Sequence, residues 1–283
     1  MNKEFYIKKA KEFFYNKDYY NLSETCKKLI EIDDNTKYYF YIGFSLYMLE
    51  NYIEAVEYFE KALDKNTENE IDINYFYYIG LSYYYINEFE KALKYLKIYL
   101  NYYYDSSLSY KYKKTLKYYI DILDIYGGNA DNFKFVGICY YRLGNYDNAV
   151  EYFEKSNRLY DINNEKDYYI KLFLGISYYR IDKYKKAIEN LLEAKCIYNN
   201  GYILYYYIGL CYMYVKDYIN AIENFNKQLI LSNENSIYTI CYLSICYYQL
   251  KDYKNHFTLI KEARQLQKEN TKNHSFYSFS KCL

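Results

Sequence analysis

One short phrase recurs along the chain at a nearly fixed interval. It reads YIGFSLY at 41–47, YIGLSYY at 78–84, FVGICYY at 135–141, FLGISYY at 173–179 and YIGLCYM at 207–213. A sixth copy, CYLSICYY at 241–248, carries Ser244 in place of the glycine. A second phrase follows each of the first five about ten residues on: YIEAVEYFEKA, FEKALKYLKIY, YDNAVEYFEKS, YKKAIENLLEA and YINAIENFNKQ. Such a period marks a stack of small supersecondary units, none of which buries its apolar face alone.

The glycines give the register. Gly43, Gly80, Gly137, Gly175, Gly209 and then Ser244 lie 37, 57, 38, 34 and 35 residues apart. An apolar residue precedes each one, and Leu46, Tyr83, Tyr140, Tyr178, Tyr212 and Tyr247 follow it by three. Alanine follows by twelve (Ala55, Ala92, Ala149, Ala187, Ala221), and Phe59, Leu96, Phe153, Leu191 and Phe225 by sixteen. Spacings of three and four describe one helical face. Short polar links such as Glu50-Asn51 and Asp182-Lys183 separate the two phrases. Each unit therefore reads as two antiparallel helices. A glycine inside a helix costs about 1 kcal/mol against alanine. Its recurrence at one register predicts that the second helix packs on bare backbone there.

This pattern resembles the tetratricopeptide repeat, W-x2-L-G-x2-Y followed by A-x3-F and then A and P. The glycine, aromatic, alanine and phenylalanine positions match over most of the chain. The tryptophan position holds Tyr39, Phe76, Phe133, Lys171, Tyr205 and Ile240, and the closing proline is absent. The resemblance implies an all-α fold, a right-handed α-solenoid of antiparallel helix pairs. Ala10, Phe13, Tyr19 and Leu22 fit a degenerate first unit, and His256 replaces the alanine of the last. The interval of 57 leaves room for one inserted amphipathic helix, a hinge or a neutral insertion. The expected organisation is N-terminal repeats over 1–106, the inserted helix over 107–129, C-terminal repeats over 130–270 and a frayed tail over 271–283.

Composition narrows the function. Lys+Arg is 37 and Asp+Glu 36, a formal net charge of +1, so the chain has no basic surplus for phosphates. No run is long and apolar enough to span a membrane, and the charged start MNKEFYIKKAKEFF is not a secretory signal. Seven scattered cysteines without CxxC spacing suit free thiols in a reducing cytoplasm. Cys139, Cys211 and Cys246 share a register with Ser45, Ser82 and Ser177, which reads as a demand for a small residue. Two histidines, His256 and His274, are too few for a zinc site, and no nucleophile, phosphate-loop or dinucleotide motif is present. The expectation is a non-catalytic protein without cofactor or metal.

A surface is what remains. In the resembling family the first helix of each unit lines the inner wall, through residues two before, one after and four after the glycine. Here these include Tyr41, Phe44 and Tyr47; Tyr78, Leu81 and Tyr84; Phe135 and Tyr141; Phe173, Ile176 and Tyr179; Tyr207 and Leu210. The basic clamp that some members use on chaperone C-termini is not matched. Arg142 and Arg180 are the arginines near the wall and could meet one carboxylate. Tyrosine, 50 of 283 residues, is a large amphipathic contact residue, so the expected role is a scaffold binding a protein or peptide of unspecified identity. The alternative is a helical-repeat RNA binder that stacks bases on its tyrosines.

Overall fold

A computed structural model of the chain describes residues 3–65, 72–102, 110–163, 166–232 and 236–272. Among these it contains fifteen α-helices and no strand. The chain divides into two compact units at Gly128/Asn129. The first holds α1 (Lys3–Tyr15), α2 (Tyr19–Ile32), α3 (Thr36–Met48), α4 (Tyr52–Asp64), α5 (Asn74–Tyr85), α6 (Phe89–Tyr102) and α7 (Tyr110–Tyr126). The second holds α8 (Ala130–Arg142), α9 (Tyr146–Ile162), α10 (Tyr168–Arg180), α11 (Tyr184–Ile197), α12 (Tyr202–Tyr214), α13 (Tyr218–Ser232), α14 (Ile237–Gln249) and α15 (Tyr253–Lys272). Helices α1/α2, α3/α4, α5/α6, α8/α9, α10/α11, α12/α13 and α14/α15 form the seven pairs. The tail beyond residue 272 lies outside the described residues.

Every pair reverses by the same turn. Seven residues after the glycine register, the backbone enters the left-handed region: Glu50 (φ 62°), Asn87 (61°), Gly144 (71°), Asp182 (59°), Lys216 (66°) and Lys251 (63°). The next amide then reaches back to the carbonyl five residues earlier, as in Asn51 N→Leu46 O (2.9 Å) and Lys183 N→Tyr178 O (2.9 Å). This is a Schellman closure, which satisfies carbonyls that a helix end leaves open. Asn145, Asp217 and Asp252 then cap the second helix, each accepting from the amide three residues on. Lys17 (φ 58°) makes the same turn seven residues after Ala10.

The glycines stand where the two helices touch. A Cβ built on Gly43 would lie 2.7 Å from the Phe59 ring and 3.1 Å from the Ala55 carbonyl oxygen. At Gly175 it would lie 2.6 Å from Leu191 Cγ and 3.2 Å from the Ala187 oxygen. Phe59, Leu191, Ala55 and Ala187 are fully buried. The last pair solves the contact differently. Ser244 Oγ and His256 Nδ1 are 2.8 Å apart, so a polar bridge replaces the glycine–alanine contact.

The long interval is explained by α7. Thr115 donates to the Lys111 carbonyl (2.7 Å), as Ser45 donates to Tyr41 (2.7 Å) and Ser82 to Tyr78 (2.8 Å). That places α7 in the register of a first helix, with Lys113 at the glycine position. Tyr112, just before it, is fully buried, as Ile42 and Ile79 are. Lys113 itself is exposed. The insertion is thus a repeat's first helix without its second. It packs on α6 and α5, through contacts that include Tyr84–Tyr118 (5.1 Å).

Two substitutions test this arrangement by chemical denaturation. Gly43→Ala gains about 1 kcal/mol of helix propensity but overpacks the Phe59 contact by about 1–3 kcal/mol, so a net loss is expected. Lys216→Gly should stabilise by about 0.5–1 kcal/mol. A left-handed non-glycine residue costs about 1–2 kcal/mol, of which glycine's entropy takes back about half.

Candidate functional site

On the first helix of each pair, positions two before and four or five after the glycine share one face, since the helix turns about 100° per residue. In the first unit Phe44 meets Tyr78 at 4.9 Å between ring centroids, and Tyr47 meets Tyr78 at 5.3 Å. In the second, Tyr141 meets Phe173 at 5.1 Å and Tyr179 meets Tyr207 at 5.4 Å. These four contacts are all edge-to-face, the arrangement that ring quadrupoles favour. The position four after one glycine thus touches the position two before the next, and a ladder of rings forms within each unit.

A second row of rings fixes the edge of the ladder. Tyr52 starts α4 and stacks on Tyr85 of the next pair at 4.4 Å and 18°. Tyr184 starts α11 and stacks on Tyr214 at 4.6 Å and 5°. In the same place Arg180 lies over the Tyr146 ring at 5.8 Å. Its Nη2 donates to the Tyr207 hydroxyl at 3.3 Å. Burial, with neighbouring hydroxyls as the smaller contribution, holds the Tyr47 and Tyr179 phenols well above their ordinary range. The ladder therefore offers neutral hydroxyls, able both to donate and to accept.

The expected wall residues divide by depth. Phe44, Tyr78, Tyr84, Tyr141, Arg142, Phe173, Tyr179 and Tyr207 are half-buried and Arg180 is exposed. Tyr41 is 38% exposed and lines a cavity of about 310 Å³ with Phe14 and Tyr15 of α1. Phe135 departs from the expectation: it is 5% exposed and belongs to the core. Leu81, Ile176 and Leu210 are also buried, at 2% exposure or less. These four side chains have no polar tip, and burial of an apolar side chain is worth about 1.5–3 kcal/mol. The position one after the glycine is thus floor at Leu81, Ile176 and Leu210, while Phe44 and Ile138 remain half-buried. The edge tyrosines Tyr52, Tyr146 and Tyr184 were not among the expected wall residues. Their signal was an aromatic nine residues after each glycine.

Cys139, Cys211 and Cys246 have no exposed surface. Burial pushes the thiols of Cys26, Cys211 and Cys246 up to about 12. Among the described residues no group of three or more His, Cys, Asp or Glu could hold a metal ion. No described helix is long and apolar enough to cross a membrane.

Paired helices in one register define a helical-repeat protein. Family models of the tetratricopeptide repeat match residues 36–69, 75–106 and 136–163. The chain belongs to the tetratricopeptide repeat family, whose members are in general protein-interaction scaffolds. No curated protein matches the sequence. Among solved structures, a crystal structure of MamA is 17% identical with a TM-score of 0.52, over 73% of this chain and 97% of that one. A MamA structure from Desulfovibrio magneticus is 19% identical with a TM-score of 0.53, over 62% and 97%. The C-terminal part of a repeat-containing protein from Cytophaga hutchinsonii is 19% identical with a TM-score of 0.50, over 94% and 96%. At these identities the likeness is one of fold.

Thiol labelling of the native protein checks the burial. The thiolate is the reactive form, so a raised pKa and a closed core both slow reaction. Alkylation followed by peptide mass mapping should label the exposed Cys196 first. Cys26, Cys139, Cys211, Cys241 and Cys246, all buried, should react only after unfolding.

Proposed function

We propose that the protein is a scaffold that holds an extended, non-acidic peptide segment of a partner along its tyrosine ladder. The observation that carries this reading is the ladder's half-buried state. Its rings are packed edge-to-face on one another, so little side-chain freedom remains to be lost on binding. Tyr47, Tyr78, Tyr179 and Tyr207 offer ring edges, faces and hydroxyls. These suit apolar and aromatic residues, and lysine or arginine through cation–π contacts of about 0.5–2 kcal/mol each. Carboxylate-rich segments find few cations here, since Arg180, the exposed arginine of this face, already rests on Tyr146 and Tyr207.

Selection of peptides from a random library on the immobilised protein tests the reading. Enriched peptides should carry aromatic or aliphatic residues together with Arg or Lys. Paired Tyr47→Ala and Tyr78→Ala, or Tyr179→Ala and Tyr207→Ala, should weaken them by at least about tenfold, the scale of a hot-spot loss. Circular dichroism must show that each variant keeps its helices. Binding that survives both double variants would move the interface off the ladder. Selective capture of single-stranded RNA instead of peptide would replace the reading.

A further inference from the structure

A different face of the first helix carries a second aromatic system, independent of the peptide reading. Its residues lie four before and three after the glycine, and fifteen after it on the second helix. In α5/α6 these are Phe76, Tyr83 and Tyr95. Tyr95 stacks on Tyr83 at 5.7 Å and 6°, and on Phe76 at 6.2 Å and 22°. In α8/α9 they are Phe133, Tyr140 and Tyr152. Tyr152 stacks on Tyr140 at 5.5 Å and 29°, and packs against Phe133 at 6.3 Å. The second helix thus feeds one ring into the space between two others.

In α10/α11 the same three positions hold Lys171, Tyr178 and Asn190. Two of three rings are gone. Lys171 turns to Glu193, 2.7 Å away. Tyr178 keeps the rest of the arrangement. Its hydroxyl donates to Glu154, as that of Tyr83 donates to Glu60. Lys186 lies 5.4 Å from its ring centroid, as Lys91 lies 5.1 Å from that of Tyr83. Where the middle ring is missing there is a cavity of about 320 Å³, lined by Glu154, Asn157, Arg158, Leu174, Tyr178 and Asn190. That is at the small end of ligand pockets, which run from about 300 to 1,000 Å³. The neighbouring pair α12/α13 also has an asparagine at the middle position. There Tyr205 is retained, and Asn224 is 6% exposed.

We propose that this cavity is a binding site for one planar, N–H-bearing aromatic ring, which stacks on Tyr178 in the place that Tyr95 and Tyr152 fill in the other pairs. The lining names the polarity. Asn190 Nδ2 is already committed to the Lys186 carbonyl at 2.9 Å, which leaves its Oδ1 as an acceptor. Glu154 takes the Tyr178 proton on Oε1 and keeps further acceptor capacity. A ring that donates matches these groups. The Arg158 Nε donates to the Glu154 carbonyl at 3.3 Å, which holds its guanidinium plane at the rim as a further stacking surface.

Indole is the direct probe, because the chain has no tryptophan and indole fluorescence is read without background. Saturable binding of indole to the full chain is expected, with benzofuran, the same shape without N–H, weaker by several-fold. Asn190→Tyr should restore the internal stack, raise the thermal midpoint and weaken indole by at least about tenfold. Glu154→Gln, which keeps the shape, should narrow the gap between indole and benzofuran. A glycine–serine peptide with one tryptophan tells the sources apart. Binding as tight as indole means a partner's side chain, and binding of indole alone means a free heterocycle. Absence of saturable indole binding overturns the proposal. So does indole binding unchanged in Asn190→Tyr and no discrimination against benzofuran in the parent chain.

Discussion

The contact between a glycine backbone on one helix and a buried Phe or Leu on the next governs everything else in this fold. Where a Cβ would stand 2.6–2.7 Å from that side chain, only glycine fits. The close approach sets the relative position of the two helices in a pair. The alanine twelve residues on, fully buried in each of these pairs, completes the same contact from the second helix. With the pair fixed, its other faces become reproducible, and any residue at a given register meets the same neighbour in the next pair. The Ser244–His256 bridge and the exposed Lys113 show the rule at its edges. One replaces the contact with a hydrogen bond, and the other puts an exposed lysine at the glycine register.

That reproducibility turns an abundance of tyrosine into organised surfaces. The ladder positions repeat as half-buried edge-to-face contacts, and the edge positions repeat as parallel stacks. On another face, three rings pack together in α5/α6 and in α8/α9. A periodic fold also makes departures informative. Arg180 stands where Tyr85 and Tyr214 stand in other pairs, and it brings the ladder a cation. Asn190 stands where Tyr95 and Tyr152 stand, and a cavity lies beside it.

Much of this is legible in the sequence. The glycine and alanine registers, the pairing of helices and the degenerate first and last repeats follow from spacing alone, because each reports a contact inside one pair. The depth of wall residues was not legible. Phe135 and Leu81 occupy registers expected to line the wall, yet they are buried. The inserted segment read as an extra helix. Its identity as an unpaired first helix needed the Thr115 hydrogen bond and the Tyr84–Tyr118 contact. The edge tyrosines were visible as a register and carried no meaning until their partners in the next pair were seen.

The amino-acid sequence by itself determined the repeat, the helix pairs, the turns between them and the class of molecule, since helical periodicity and close approach are local demands written every 34–38 residues in all but one interval. Only the tertiary structure decided which tyrosines face outward, which stack on one another and where a ring is missing. Those properties belong to contacts between successive pairs, and a spacing within one pair does not encode what the next pair places against it.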